Sequence, residues 1–183
     1  MKVLLSIVGA SGSIYGIRLL KELKKANVET HLIISNGAKK IIEHETDYNI
    51  SELKNQADYY YENNDMFAGP ASGSFKIDFM VVCPCSMKTL SAISNGYGNT
   101  LTSRAASCVL KEGKKLIIVI RETPLDYPGI KNMEKAKLSG ATILPAMPGF
   151  YHKPKRIDDL VDFIVGKTLD QLGINHSLFK RWK

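Results

Sequence analysis

The sequence is poor in the groups that most often announce a function. It has three cysteines; Cys83 and Cys85 make C-x-C rather than C-x-x-C, and Cys108 stands alone. So few cysteines fit a reducing compartment. The four histidines (His31, His44, His152 and His176) show no metal-ligand spacing, so no metal site is expected. G-x-S-x-G, H-E-x-x-H and Walker-type sequences are absent, which removes the main support for hydrolase, zinc-protease and P-loop readings. No apolar run reaches the roughly 18 to 20 residues of a membrane span. The opening Val3-Leu4-Leu5-Ser6-Ile7-Val8 imitates a signal peptide, but a Gly-Ala-Ser-Gly turn and a helical pattern follow it, so it reads as a first strand. The expectation is a cytoplasmic protein. Arginine is scarce, five against 20 lysines, within a net charge of +7. Without RNP-like aromatics or a helix-turn-helix pattern, that excess reads as a solvated lysine-rich surface that attracts small anions, with no nucleic-acid partner.

What is present is a regular alternation. Lys2–Val8, Glu29–Ile34, Phe79–Cys83, Leu116–Ile120 and Ala141–Leu144 are short apolar strands. Helical spacing or caps mark Ile14–Lys25, Ala38–Glu45, Ser86–Ile93, Thr102–Glu112, Ile130–Ser139 and Ile157–Leu172, with Gly113 and Gly173 as helix stops. Thr46–Asp65 reads as a polar, tyrosine-rich excursion with a short strand, and Phe67–Ser74 as an irregular loop. Near-continuous apolar strands alternating with helices predict a parallel sheet covered by helices on both faces, an α/β fold of three layers. No linker or repeat divides the 183 residues, so one domain over 1–183 is expected.

Each of the five strands runs into a short polar or glycine-rich turn: Gly9-Ala10-Ser11-Gly12, Ser35-Asn36-Gly37, Pro84 to Thr89, Arg121-Glu122-Thr123-Pro124 and Pro145-Ala146-Met147-Pro148. Open parallel sheets bind ligands beyond the carboxyl ends of their strands. Gly9 to Gly12 precedes a helix and offers backbone N–H groups to an anion. Read alone, it is equally a tight turn with no ligand. It is not G-x-G-x-x-G, and Ser35 stands where an acid would grip a ribose, which disfavours a nicotinamide dinucleotide. Ser86 and Thr89 suit one phosphate at a helix start, or a simple cap. Arg121-Glu122 follows a buried strand and reads as an anion fork beside a proton relay, or as a structural ion pair. Arg104 and Lys111 lie two turns apart on one helix face, a basic pair or a solvated stripe. Pro84 between Cys83 and Cys85, with no base nearby, argues against a nucleophilic thiol.

In order along the whole chain, these stretches resemble the UbiX-type flavin prenyltransferases. The specific ones are Pro70-Ala71-Ser72-Gly73-Ser74 and Arg121-Glu122-Thr123-Pro124-Leu125. Gly9-Ala10-Ser11-Gly12, Glu45-Thr46-Asp47, Cys83-Pro84-Cys85-Ser86, Arg104-Ala105-Ala106, Leu144 to Tyr151 and Arg181-Trp182 accompany them. The resemblance implies a flavodoxin-like (Rossmann-like) subunit of a homo-oligomer, commonly a dodecamer. It also implies transfer of a dimethylallyl group from dimethylallyl phosphate to N5 and C6 of reduced FMN. The product, prenylated FMN, would pass to a UbiD-type decarboxylase.

By motif, FMN would be held by Gly9, Ala10, Ser11, Ser35, Ser86, Met87, Lys88, Thr89 and Arg121. The donor would be held by Arg104, Lys111, Arg121, Tyr151 and Lys167, with Ser11, Glu45, Glu122 and Trp182 as the catalytic set. Two departures stand out. Asn99-Thr100-Leu101 and Ser107-Cys108-Val109 replace the family's Asn-Asn-Leu and Asp-Val, and Lys167 supplies charge without an arginine's bidentate fork. The alternatives are an FMN-dependent cysteine decarboxylase, whose catalytic histidine and Pro-x-Met-Asn stretch have no counterpart here, and a non-catalytic flavin-binding module.

Overall fold

The computed structural model describes residues 1–182. Six strands form one parallel sheet: β1 (Lys2–Ile7), β2 (Glu29–Ile34), β3 (Tyr59–Glu62), β4 (Phe79–Cys85), β5 (Lys115–Ile120) and β6 (Thr142–Pro145), in the order β3-β2-β1-β4-β5-β6. That is the doubly wound order. Setting aside the four-residue edge strand β3, the other five follow the flavodoxin order. The register pairs Leu5 of β1 with Leu32 on one side and Val81 on the other.

The central strands are apolar on both faces because both faces are covered. One face packs against α1 (Ser13–Lys25), α2 (Asn36–Glu45), α3 (Ile50–Gln56) and α7 (Ile157–Leu172), through residues such as Leu5, Ile17, Leu20, Leu32, Leu53 and Ile164. The other packs against α4 (Met87–Ser94), α5 (Leu101–Lys111) and α6 (Tyr127–Leu138), through Leu4, Ile33, Met80, Leu90, Ala105 and Ile118. Gly16 lets α1 lie directly on the sheet. A Cβ there would stand 2.2 Å from the Cys83 carbonyl oxygen and 2.8 Å from Ile7.

The expected layers and the five expected strands are present, and the short strand expected in Thr46–Asp65 is β3. The same stretch also contains α3, which its polar composition hid. It is a seven-residue helix capped by Asn49 and buries only Leu53. α6 begins at Tyr127 rather than Ile130, because the Asp126 carboxylate accepts from the Gly129 N–H and Pro128 fits the first turn. The Phe67–Ser74 loop holds one short 3-10 turn, Gly69–Ala71.

Candidate active site

All strands are parallel, so every strand-to-helix turn leaves by the same edge. The turns after β1 and β4 part to opposite faces, and between them lies a cleft of about 460 Å³. Val8, Gly9, Ser35, Asn36, Gly37, Asn63, Asn64, Ser86, Lys88, Thr89, Asn99, Thr100 and Ser103 are among its lining residues. Gly9 and Gly37 bring the β1 and β2 turns together, a Cβ on Gly9 falling 3.5 Å from the Gly37 Cα.

The cleft is lined by the amino ends of α2, α4 and α5. Ser35 caps α2 by accepting from the Ala38 N–H at 3.1 Å. Ser86 caps α4 by accepting from the Thr89 N–H at 3.4 Å, with the two hydroxyls 3.2 Å apart. Thr100 caps α5 in a reciprocal box with Ser103. Converging amino ends place unpaired N–H groups and positive dipole ends on one volume, which favours an anion. Beneath them the Ser6 and Thr102 hydroxyls lie 2.6 Å apart, and the Thr102 hydroxyl donates to the Asn63 side-chain oxygen Oδ1 at 2.7 Å. Asn63 also accepts from the Thr102 N–H and so fixes the start of α5. Each of these polar groups, taken from water, has a partner.

Of the residues expected to hold the cofactor, Gly9, Ser35, Ser86, Lys88 and Thr89 line the cleft. Met87 turns instead toward Gly129 of α6, where any Cβ would meet its methyl group. The amino end of α1 is already occupied. Its Gly12 N–H donates to the Glu45 carboxylate at 2.9 Å, and the Ser13 N–H and hydroxyl approach the same oxygen at 3.4 Å. Burial pushes the Glu45 carboxyl up, but hydrogen bonds from Ser11, Gly12 and Ser13 outweigh it and hold the group below its ordinary value. This helix end thus meets a carboxylate of α2, which caps it. Glu45 sits beside Ser11, another residue of the expected catalytic set.

Arg121 reaches from the β5 turn to the β1 turn, its Nε donating to the Ser11 carbonyl at 3.1 Å. Glu122 beside it accepts from the Thr123 N–H. Neither residue makes an ion pair among the described residues, so the structural-pair reading of Arg121-Glu122 does not hold. Ala10 is buried under the β1 turn. Cys83 and Cys85 are fully buried, and burial pushes both thiols well up, which leaves no nucleophile there.

The donor residues divide into two groups. Tyr151 and Trp182 meet edge to face with ring centroids 5.5 Å apart, and Tyr151 also packs on Phe163 of α7. Lys167 of α7 lines a smaller hollow with Leu144, Met147 and Phe163. Arg104 and Lys111 do share a helix face, but it lies against the 69–74 loop. Arg104 donates to the Ala71 carbonyl, and Lys111 lies beside Gly73. Lys111 is the last residue of α5, at the end opposite the cleft-lining Thr100, so one chain does not bring it to the cleft.

Reading the sequence missed Asn63, Asn64, Asn99, Thr100 and Ser103. Two signals pointed to them. A strand within Thr46–Asp65 puts the turn after it, Asn63-Asn64, on the ligand edge. Thr100-x-x-Ser103 is a cap spacing that places the start of α5 earlier than Thr102.

The chain matches the model of the Flavoprotein family over residues 1–169. Over 182 residues it is 53% identical to the flavin prenyltransferase UbiX of Methanocaldococcus jannaschii, covering 100% of this chain and 98% of that one. The chain belongs to the UbiX flavin prenyltransferases. A UbiX protein crystallised with FMN and dimethylallyl pyrophosphate superposes with a TM-score of 0.98 at 44% identity, over 100% of this chain and 97% of that one. A dodecameric FMN-dependent UbiX-like decarboxylase from Escherichia coli O157:H7 gives 0.98 at 43% identity, over the full length of both. The peptidyl-cysteine decarboxylase EpiD, at 20% identity and a TM-score of 0.61, shares the fold alone.

Proposed function

We propose that the whole chain acts as one FMN-binding domain that transfers a dimethylallyl group from dimethylallyl phosphate to N5 and C6 of reduced FMN. The observation that carries this reading is the convergence of the amino ends of α2, α4 and α5 on one cleft, with Arg121-Glu122 at the adjoining turn. The donor set fits FMN. Hydroxyls and free N–H groups suit a phosphate, and the cleft has no acid placed for a second nucleotide's ribose. Gly9, Ser35, Ser86, Lys88 and Thr89 would hold it, with Ala10, Ser11 and Met87 shaping the adjoining turns. Reduced FMN supplies the nucleophilic nitrogen and carbon.

The chain's own part is to hold the donor and manage charge and protons. Phosphate leaves readily only when its charge is met, and Arg121, Tyr151 and Lys167 would meet it. Positive charge developing on the allyl carbon is stabilised by aromatic faces, which Trp182 and Tyr151 offer. Glu122, unpaired by any cation among the described residues, would take up protons lost on alkylation, with Ser11 and Glu45 at the facing turn. Arg104 and Lys111 would join the site from a neighbouring subunit of a homo-oligomer, as a dodecamer allows. Prenylated FMN would then pass to a UbiD-type decarboxylase. This exchange would take place in the cytoplasm, whose reducing conditions suit a chain with so few cysteines. No helix among the described residues is long and apolar enough to cross a membrane.

The test is to mix protein, reduced FMN and dimethylallyl phosphate without oxygen and weigh the flavin product, with the diphosphate in a parallel arm. A flavin heavier by one prenyl group is expected. An unchanged flavin with either donor, together with decarboxylation of a cysteinyl peptide, would replace the reading.

A further inference from the structure

The C-terminal tail is held to α7 by one carboxylate. Arg181 grips Asp170 with both arms, Nη2 to Oδ1 at 2.6 Å and Nη1 to Oδ2 at 3.1 Å. His176 Nε2 lies 3.2 Å from Oδ1. The Nδ1 of that ring accepts the Leu178 N–H at 3.2 Å, so the proton of the neutral imidazole sits on Nε2 and is donated to Asp170. Lys167 Nζ stands 3.8 Å from Oδ2. The tail also has a seat cut for it. At Gly166 a Cβ would fall 2.5 Å from the Phe179 ring and 2.6 Å from the His176 ring. A glycine inside a helix is less favourable than alanine. This one allows Phe179 to lie on α7, 4.9 Å from Phe163 between centroids.

We propose that Asp170 is a positioning residue for the donor site: it fastens the tail so that Trp182 is held against Tyr151, and it keeps Lys167 beside them. This rests on the reading that Tyr151, Lys167 and Trp182 receive the donor. Asp170 touches neither donor nor flavin in that arrangement; it acts through Arg181, His176 and Lys167. Burial raises the Asp170 carboxyl less than the Arg181 guanidinium lowers it, so the clamp stays ionised.

Trp182 is the chain's one tryptophan, which makes the tail visible by itself. The experiment compares Asp170→Asn and Arg181→Gln with the unmodified protein. It reads time-resolved anisotropy of Trp182 without donor, then KM, kcat and FMN affinity. Arg181 is on the surface, so its variant keeps the test alive if Asp170→Asn fails to assemble. Both variants are expected to enlarge the fast component of the Trp182 decay. Both should raise KM for dimethylallyl phosphate about tenfold, the equivalent of one lost net hydrogen bond. FMN affinity should stay within about twofold, since the flavin cleft makes no contact with the clamp. An unchanged decay in both variants would overturn the proposal. So would a freed tail with unchanged KM, which would make the clamp idle. If the unmodified protein forms no adduct, it is the prenyl-transfer reading that fails; the anisotropy, read without donor, tells the two failures apart.

Discussion

The groups facing the cleft between β1 and β4 are mostly backbone N–H ends and the hydroxyls that cap them: α2 with Ser35, α4 with Ser86, α5 with Thr100. At the tail beyond β6 they are long or large side chains: Tyr151, Lys167, Arg181 and Trp182. The cleft is part of the fold, since a doubly wound sheet brings those helix ends together wherever its turns are short. The tail site is laid over the fold and kept in place by Asp170, Gly166 and aromatic contacts. An anion site made of backbone needs no anchor. One made of flexible side chains does, because each loses up to about 2 kcal/mol of rotamer freedom when it is ordered.

The contrast is sharpest in the proposed chemistry. Glu122→Gln should leave FMN and donor bound and slow adduct formation by about 10²-fold or more, as expected for losing a positioned acid or base. Single-turnover timing in the absence of oxygen checks this; an unchanged rate would remove Glu122 from the proton path. Lys167→Ala should weaken the donor by roughly 1.5 to 3 kcal/mol, the range for a hydrogen bond to a charged group, and leave FMN affinity alone. Donor titration followed by flavin fluorescence separates the two. Loss of FMN instead of donor would merge the cleft and the tail into one site.

Two further predictions concern the frame that carries both. Gly16→Ala should destabilise the protein by about 1 to 3 kcal/mol through overpacking against the Cys83 carbonyl, although the same change stabilises an isolated helix by up to about 1 kcal/mol. Denaturant unfolding gives the sign. The smallest effect is expected at the β3 edge. There His31 is buried between Glu29 and Tyr61 and stacked on Tyr59. Burial lowers its pKa against a smaller opposing pull from Glu29. The folded state therefore favours the neutral ring. The stability this contributes is present above the ordinary histidine value, about 6.5, and is lost as pH falls from there through the lowered folded value. Melting temperature followed between pH 7 and 5 should drop less in His31→Gln than in the unmodified protein. Equal drops would assign the acid sensitivity elsewhere.

Much of the cleft was legible before folding was considered. Strands that end in Gly9, Ser35 and Ser86 turns must, if parallel, present them on one edge, and all three line the cleft. β3 is placed only loosely and α3 not at all, because short segments with at most one buried residue leave a weak periodic signal. With β3 loosely placed, Asn63 and Asn64 went unread.

The sequence by itself determined the alternation of strands and helices, the cap that starts α4, and the edge on which a ligand would lie. These follow from chain periodicity and from hydrogen bonds that span three or four residues. Only the tertiary structure decided that Glu45 caps α1 from 33 residues away, that Asn63 underpins α5, and that Lys111 ends far from the cleft. It alone decided that Asp170 gathers Lys167, His176 and Arg181. Which carboxylate meets which donor depends on how packed elements are spaced, and no local pattern in the chain encodes that spacing.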